Sequence, residues 1–175
     1  MEKKMSFMQA VLTAGLVTGI GIIMITLIGY ITDLILKPWF VIFGFIILIV
    51  GIVWGSKLVR EKCNGGSLTY SRGFGSGIMI SLFASIIVGI FSIILFKYID
   101  TDLLVQIQTG KMLRSGVPED QIETSIELLS KYNTPLILFL NEFIIYTFVG
   151  LIISLITSAI VKKEPVVNLF TETEE

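Results

Sequence analysis

Four long stretches of this chain carry almost no charge, and that feature limits what it can fold into more than any other. They run over about residues 10–32, 39–56, 73–96 and 135–161. A helix rises about 1.5 Å per residue, so each is long enough, or nearly so, to cross a hydrocarbon core of roughly 30 Å. Composition points the same way. The chain is 54% apolar and only 15% charged, against about 25% charged in an ordinary soluble domain. A soluble core of this size could not hide so much Leu, Ile, Val and Phe. The expected architecture is all-α: an integral membrane four-helix bundle forming a single domain over 1–163, followed by an acidic flexible tail over 164–175.

Lys3 and Lys4 resemble the start of a secretory signal, but the apolar run behind them is too long and no A-x-A-like site closes it. The first run is therefore expected to remain as an uncleaved span. Only 33–38 separate it from the second, which predicts a tight antiparallel hairpin with Tyr30, Trp39 and Phe40 at headgroup level. Four spans put both termini on one side. That side would hold Lys3, Lys4, Lys57, Arg60, Lys62, Arg72, Lys162 and Lys163, against Lys37, Lys97, Lys111, Arg114 and Lys131 on the other. The excess places both termini in the cytoplasm. Cys63 would then meet a reducing compartment as a free thiol.

Within the spans, small residues recur every four positions: Gly15 and Gly19; Gly51 and Gly55; Gly73, Gly77, Ser81, Ser85 and Gly89; Gly150, Ser154 and Ser158. Each set lies on one helical face, where small side chains let backbones approach closely. The seams suit either a compact bundle or a homo-oligomer, and spacing does not choose between them. Asn141 and Glu142 are the polar exception inside a run. Phe143 to Val161 alone could span, leaving Glu142 at the outer interface; otherwise it is an intramembrane carboxylate suited to an ion or proton path.

The outer segment 97–134 should hold one or two amphipathic helices. Pro118 and the acids after it mark a start, Ile122, Ile126 and Leu129 repeat on one face, and Lys131 comes near the end. A weaker pattern covers Asp102 to Ser115, with Leu103, Leu104 and Ile107 together. These helices are expected to cap the bundle or to dock a partner.

Chemistry is harder to find. There is no His and one Cys, which removes His-based metal sites, a disulfide framework and any His-dependent triad. Gly73-Phe74-Gly75-Ser76-Gly77 beside Arg72 could hold a phosphate at a helix start. It lacks a preceding strand and the Gly-Lys-Ser/Thr that such loops carry, so helix packing is the better account. The basic loop Lys57, Arg60, Lys62 and Arg72 reads as a topology determinant that would also attract anionic lipid. Asp100 and Asp102 are too few for a persuasive Ca²⁺ site. With 13 basic and 14 acidic residues, no bulk field calls for nucleic acid. No cofactor, metal or catalytic residue is expected.

Several segments together carry a family resemblance. They are Gly65-Gly66-Ser67-Leu68-Thr69-Tyr70-Ser71-Arg72-Gly73-Phe74, Tyr98-Ile99-Asp100, Val117-Pro118-Glu119-Asp120-Gln121-Ile122-Glu123, and Gly150-Leu151-Ile152-Ile153-Ser154-Leu155-Ile156 followed by Lys162-Lys163. In order and spacing the chain resembles domain-of-unknown-function family 4199, small membrane proteins common in Bacteroidetes, over about residues 5–163. Thr101 departs from the proline expected after Ile-Asp. The resemblance implies four inner-membrane helices and brings no activity or catalytic residues. The expected role is a non-catalytic membrane or scaffold component, with the lipid bilayer and a homo-oligomer or membrane protein as partners. The alternatives are a small oligomeric transporter or channel using Glu142 and the span hydroxyls, and an accessory subunit of a membrane enzyme acting on lipid-linked substrates.

Overall fold

The computed structural model describes residues 5–163, apart from the side chains of Leu129, Ser130 and Tyr132. The helices are α1 (Phe7–Ile31), α2 (Val41–Cys63), α3 (Tyr70–Ile94), α4 (Leu103–Arg114), α5 (Glu119–Tyr132) and α6 (Pro135–Val161). Four helical stretches are long and apolar enough to cross a membrane: Phe7–Ile31, Pro38–Cys63, Tyr70–Ile99 and Pro135–Val161. The molecule is an all-α, multi-pass membrane protein. Lys3, Lys4 and the acidic tail 164–175 lie outside the described residues.

The helices exceed the apolar runs at several ends. α2 continues through Cys63, so Arg60 and Lys62 occupy its last turn, where positive charge is favoured by the helix dipole. α3 starts at Tyr70, three residues before the apolar run. Beyond Ile94 it widens rather than stopping: Leu95–Ile99 form one broad turn, and the Asp100 N–H donates to the Leu95 carbonyl at 2.9 Å. α5 opens on Glu119, so Pro118 stands just before the helix instead of at its first position, its carbonyl accepting from Gln121 and Ile122. Phe40 also differs from expectation. It is buried against Gly29 and stabilises the α1–α2 hairpin from within, while Trp39 remains exposed beside Phe40 and Phe43.

α3 is the central helix. It packs most extensively on α6 and next on α1, and it also meets α2; α2 in turn packs on α1 and α6. The α3–α6 seam is antiparallel and regular. A Cβ on Gly73 would lie 3.2 Å from Ser158 Cβ; Gly77 abuts Ser154, and Gly150 abuts Ser81. As the α3 position climbs by four, the α6 position falls by four, so glycine repeatedly meets serine. Further along, Ser85 and Thr147 share a 3.2 Å hydrogen bond. Because the Ser85 hydroxyl already donates to the Leu82 carbonyl, Thr147 is the donor across the seam.

The other stripes are used in the same way. Gly15 faces Phe83 of α3, with a notional Cβ 2.6 Å from Phe83 Cβ, and Gly19 faces Ile87. Gly51 abuts Thr18, and Gly55 meets Ala14 of α1, notional Cβ to Cβ 2.6 Å. All four stripes therefore form contacts within one chain. The outward faces carry the bulk instead: Ile144, Phe148, Ile152, Ile156 and Ile160 of α6 are exposed at four-residue intervals. Small residues inside and large apolar residues outside are what lipid favours, since it gives no hydrophobic reward for hiding Ile and leaves close packing to hold helices together.

Hydroxyls inside the bundle are satisfied locally. Ser76, Ser81, Ser92, Ser154 and Ser158 each donate to a carbonyl three or four residues earlier in their own helix, a bond that lets serine sit in a dry helix. Ser56 reaches Ser76 at 3.3 Å between α2 and α3.

The α2–α3 connection explains the double glycine. Gly65 and Gly66 have φ of 60° and 89°, left-handed conformations that are costly for side-chain-bearing residues. They turn the chain so that Leu68 drops into the core. Leu68 and Lys163 then exchange backbone hydrogen bonds of 2.8 and 2.9 Å, fastening the loop to the end of α6.

The seam geometry yields a paired test. Gly77→Leu should destabilise the detergent-solubilised protein by about 1–3 kcal/mol or more, the usual cost of overpacking. Gly75→Leu, where a side chain meets open space, should leave the melting temperature unchanged or slightly raised. Equal melting temperatures for the two variants would contradict the seam.

Candidate functional site

At the end of the bundle opposite Met5 and Lys163, the helices do not close. A cavity of about 340 Å³ lies there, bounded by the ends of α1 and α3, the start of α2, the first turns of α6 and one face of α4. The volume is at the lower end of the range for small-ligand pockets. Its walls are mostly apolar, including Ile25, Val88, Phe91, Leu95 and Leu138, with a few polar groups among them.

α6 supplies the acid. Thr134 caps its start by accepting from the Ile137 N–H at 3.3 Å, and Pro135 opens the helix. Glu142 comes two turns later, roughly 10 Å along a helix about 40 Å long. It is therefore neither outside the helix nor at mid-span, and both it and Asn141 border the cavity. Tyr146, one turn further on the same face, is buried beside Phe45 with ring centroids 5.9 Å apart. Gly44 of α2 leaves room for its hydroxyl: a Cβ there would stand 2.8 Å from the oxygen.

α4 supplies the cations. Its inner face runs Leu104, Ile107, Gln108, Lys111, Arg114, all lining the cavity, so one helix surface passes from apolar to positive. Leu103, at the same helix's start, is buried. Lys111 lies within electrostatic reach of Glu142, and Lys37 from the α1–α2 connection adds a third positive group. α4 is seated by Asp100, whose carboxylate accepts from the Asp102 and Leu103 N–H groups at 3.1 and 2.9 Å. That gives Asp100 a capping role at the start of the helix. α5 packs on α4, with Ile122 buried.

Other positions raised by the sequence are located differently. Gly73 and Gly77 lie inside α3, one and two turns past its start, and face Ser158 and Ser154; Arg72 covers the Phe7 ring at 5.9 Å. The glycine cluster is thus packing surface and forms no helix-start phosphate cradle. Gly15, Gly19, Gly51, Gly55, Ser81, Gly150, Ser154 and Ser158 sit in the seams and are not among the residues lining the cavity. Gly89 meets Phe139, and Ser92, which lines the cavity, stands where the α3–α6 seam gives way to it. Among the described residues, no three His, Cys, Asp or Glu side chains cluster as a metal site would require.

The family described as "Protein of unknown function (DUF4199)" matches residues 3–163. The chain belongs to this family. The DUF4199 match covers every helix and all the cavity-lining residues. No curated protein and no solved structure matches the chain.

Sequence reasoning singled out Asn141 and Glu142 but passed over Tyr146, Lys111, Arg114 and Lys37 as parts of one site. Two signals were present: Tyr146 follows Glu142 by four residues, and Lys111 and Arg114 continue the stripe begun by Leu104 and Ile107. If Asp100 seats the α4 roof, Asp100→Ala should cost about 1 kcal/mol, as lost helix caps do. The checkable sign is faster amide hydrogen exchange across Leu103–Arg114 with the four spans unaffected; unchanged exchange there would remove Asp100 from the site's architecture.

Proposed function

We propose that this protein is a non-catalytic component of the bacterial inner membrane, with both termini in the cytoplasm, that holds a small ligand in the cavity at the periplasmic end of its bundle. The observation that carries the reading is Glu142: an ionisable group within a span, facing a cavity rather than lipid, is the usual mark of a functional site in a membrane protein. Convergent polar groups on a mostly apolar wall add to it. The bundle hydroxyls, engaged with carbonyls of their own helices, support a binding role over nucleophilic chemistry.

A transport path receives less support. It would have to continue from the cavity along α3 and α6, where Ser85 meets Thr147, Ser81 meets Gly150 and Gly77 meets Ser154 at packing distance. The oligomeric reading likewise loses its main argument, because the small-residue stripes are already occupied within one chain. Basic residues favour the cytoplasm for the face holding Lys57, Arg60, Lys62, Arg72, Lys162 and Lys163.

Ligand binding is tested by thermal unfolding in detergent with a panel of small anions, amines, zwitterions and membrane lipids. A ligand at 100 times its Kd stabilises a protein by about 2.7 kcal/mol, worth roughly 5–10 °C for a chain of this size. At least one class should do so, and Ile107→Trp, which fills the cavity from α4, should abolish the shift. No shift from any member would sink the reading. Orientation is tested with Cys63, the chain's one cysteine, at the end of α2. A membrane-impermeant maleimide should label it in inverted vesicles and spare it in intact spheroplasts; the reverse pattern would invert the topology.

A further inference from the structure

The charges around the cavity are separated by element. The acid comes from α6, two turns into a span, while Lys111 and Arg114 come from exposed positions on α4 and Lys37 from the α1–α2 connection. Among the described residues, no ion pair within 4 Å joins Glu142 to any of these cations. A carboxylate facing a mostly apolar wall is costly unless something positive or hydrogen-bonding reaches it; Asn141 beside it and Lys111 at longer range answer part of that need, and the rest is left to whatever occupies the cavity. A simple cation would fill it only by passing three like charges. A simple anion would be drawn to those charges but would meet Glu142. A molecule bearing both signs satisfies both ends.

We propose that the cavity binds a small zwitterion, its ammonium group at Glu142 and its anionic group towards Lys111 and Arg114. This rests on the ligand-binding reading above and names the ligand's chemistry. The wall suits an ammonium group, since Phe91, Phe96 and Tyr146 line the same cavity as the acid and aromatic faces attract cations. The Tyr146 hydroxyl, one turn below Glu142, adds a donor and acceptor. At the other end the Arg114 guanidinium offers the forked donors that match a carboxylate or phosphate, and Lys111 adds a point charge. An amino-phosphate has this pattern, whether free in solution or as the headgroup of phosphatidylethanolamine.

Two probes separate those sources. Binding of phosphoethanolamine to the purified protein is compared with phosphate alone and ethanolamine alone. Nanodiscs containing phosphatidylethanolamine and phosphatidylglycerol are compared by native mass spectrometry for which lipid stays bound. The expected result is at least a tenfold preference for the amine-bearing phosphate in one of the two formats, and that format identifies the source. Glu142→Gln should erase the preference over the amine-free partner. Lys111→Gln with Arg114→Gln should erase the preference over ethanolamine in the soluble format, or release the bound lipid in nanodiscs; both side chains are exposed, so this variant tests the idea even if Glu142→Gln fails to fold. Binding of amine-free anions equal to that of zwitterions, unaltered by Glu142→Gln, would overturn the zwitterion while leaving a ligand-binding cavity. Absence of binding by every probe, here and in the thermal panel, would overturn both.

Discussion

The rest of the structure depends on the close approach of α3 to its neighbours. In lipid, exposure of Leu, Ile and Phe costs nothing that burial would recover, so helices associate where backbones can come near enough for dense van der Waals contact. α3 meets that requirement on two sides at once, against α6 through Gly73, Gly77 and Ser81 and against α1 opposite Gly15 and Gly19. At Gly73, Gly77, Ser81 and Ser85 of α3 the residue across the seam on α6 is Ser158, Ser154, Gly150 and Thr147 in turn. Sliding one helix by a turn would still match the repeat, so the register is fixed by the Leu68–Lys163 bridge and the Ser85–Thr147 bond, which such a slide would break.

The same seam defines where the cavity can be. At Gly89 the α6 partner is the ring of Phe139 instead of a serine, and at Ser92 the hydroxyl bonds its own helix at Gly89 while lying 3.4 Å from the Leu138 carbonyl of α6. From this level the helices are held apart by larger groups. The broad turn at Leu95–Ile99 then carries the chain out of α3, and Asp100 starts α4 across the opening. The pocket is thus a consequence of where close packing ends, roofed by a helix that the loop geometry delivers to it.

Charge placement follows from that arrangement. Glu142 is tolerable two turns inside α6 because it faces the cavity and the cationic face of α4. Had α6 been rotated by half a turn, the carboxylate would have faced the lipid side occupied by Ile144 and Phe148. Lys111 and Arg114 lie in the long connection between the third and fourth spans, yet their position on the inner face of α4 makes them part of a site.

Much of the architecture was legible in the amino-acid order. Long uncharged runs dictate spanning helices because the backbone has no other way to satisfy its hydrogen bonds in lipid, and the four-residue spacing of glycine and serine marks the helix faces that pack. Local signals also located α5, through Pro118, the acids after it and the Ile122 repeat. What spacing could not decide was which stripe meets which: Gly51 is equally suited to a neighbour in another chain and to Thr18 of α1. It also could not bring Lys111 from one helix and Glu142 from another to a single cavity. Those facts belong to the tertiary structure alone, since a periodic pattern specifies a face of a helix, whereas the partner of that face is chosen by how the whole set of helices fills space together.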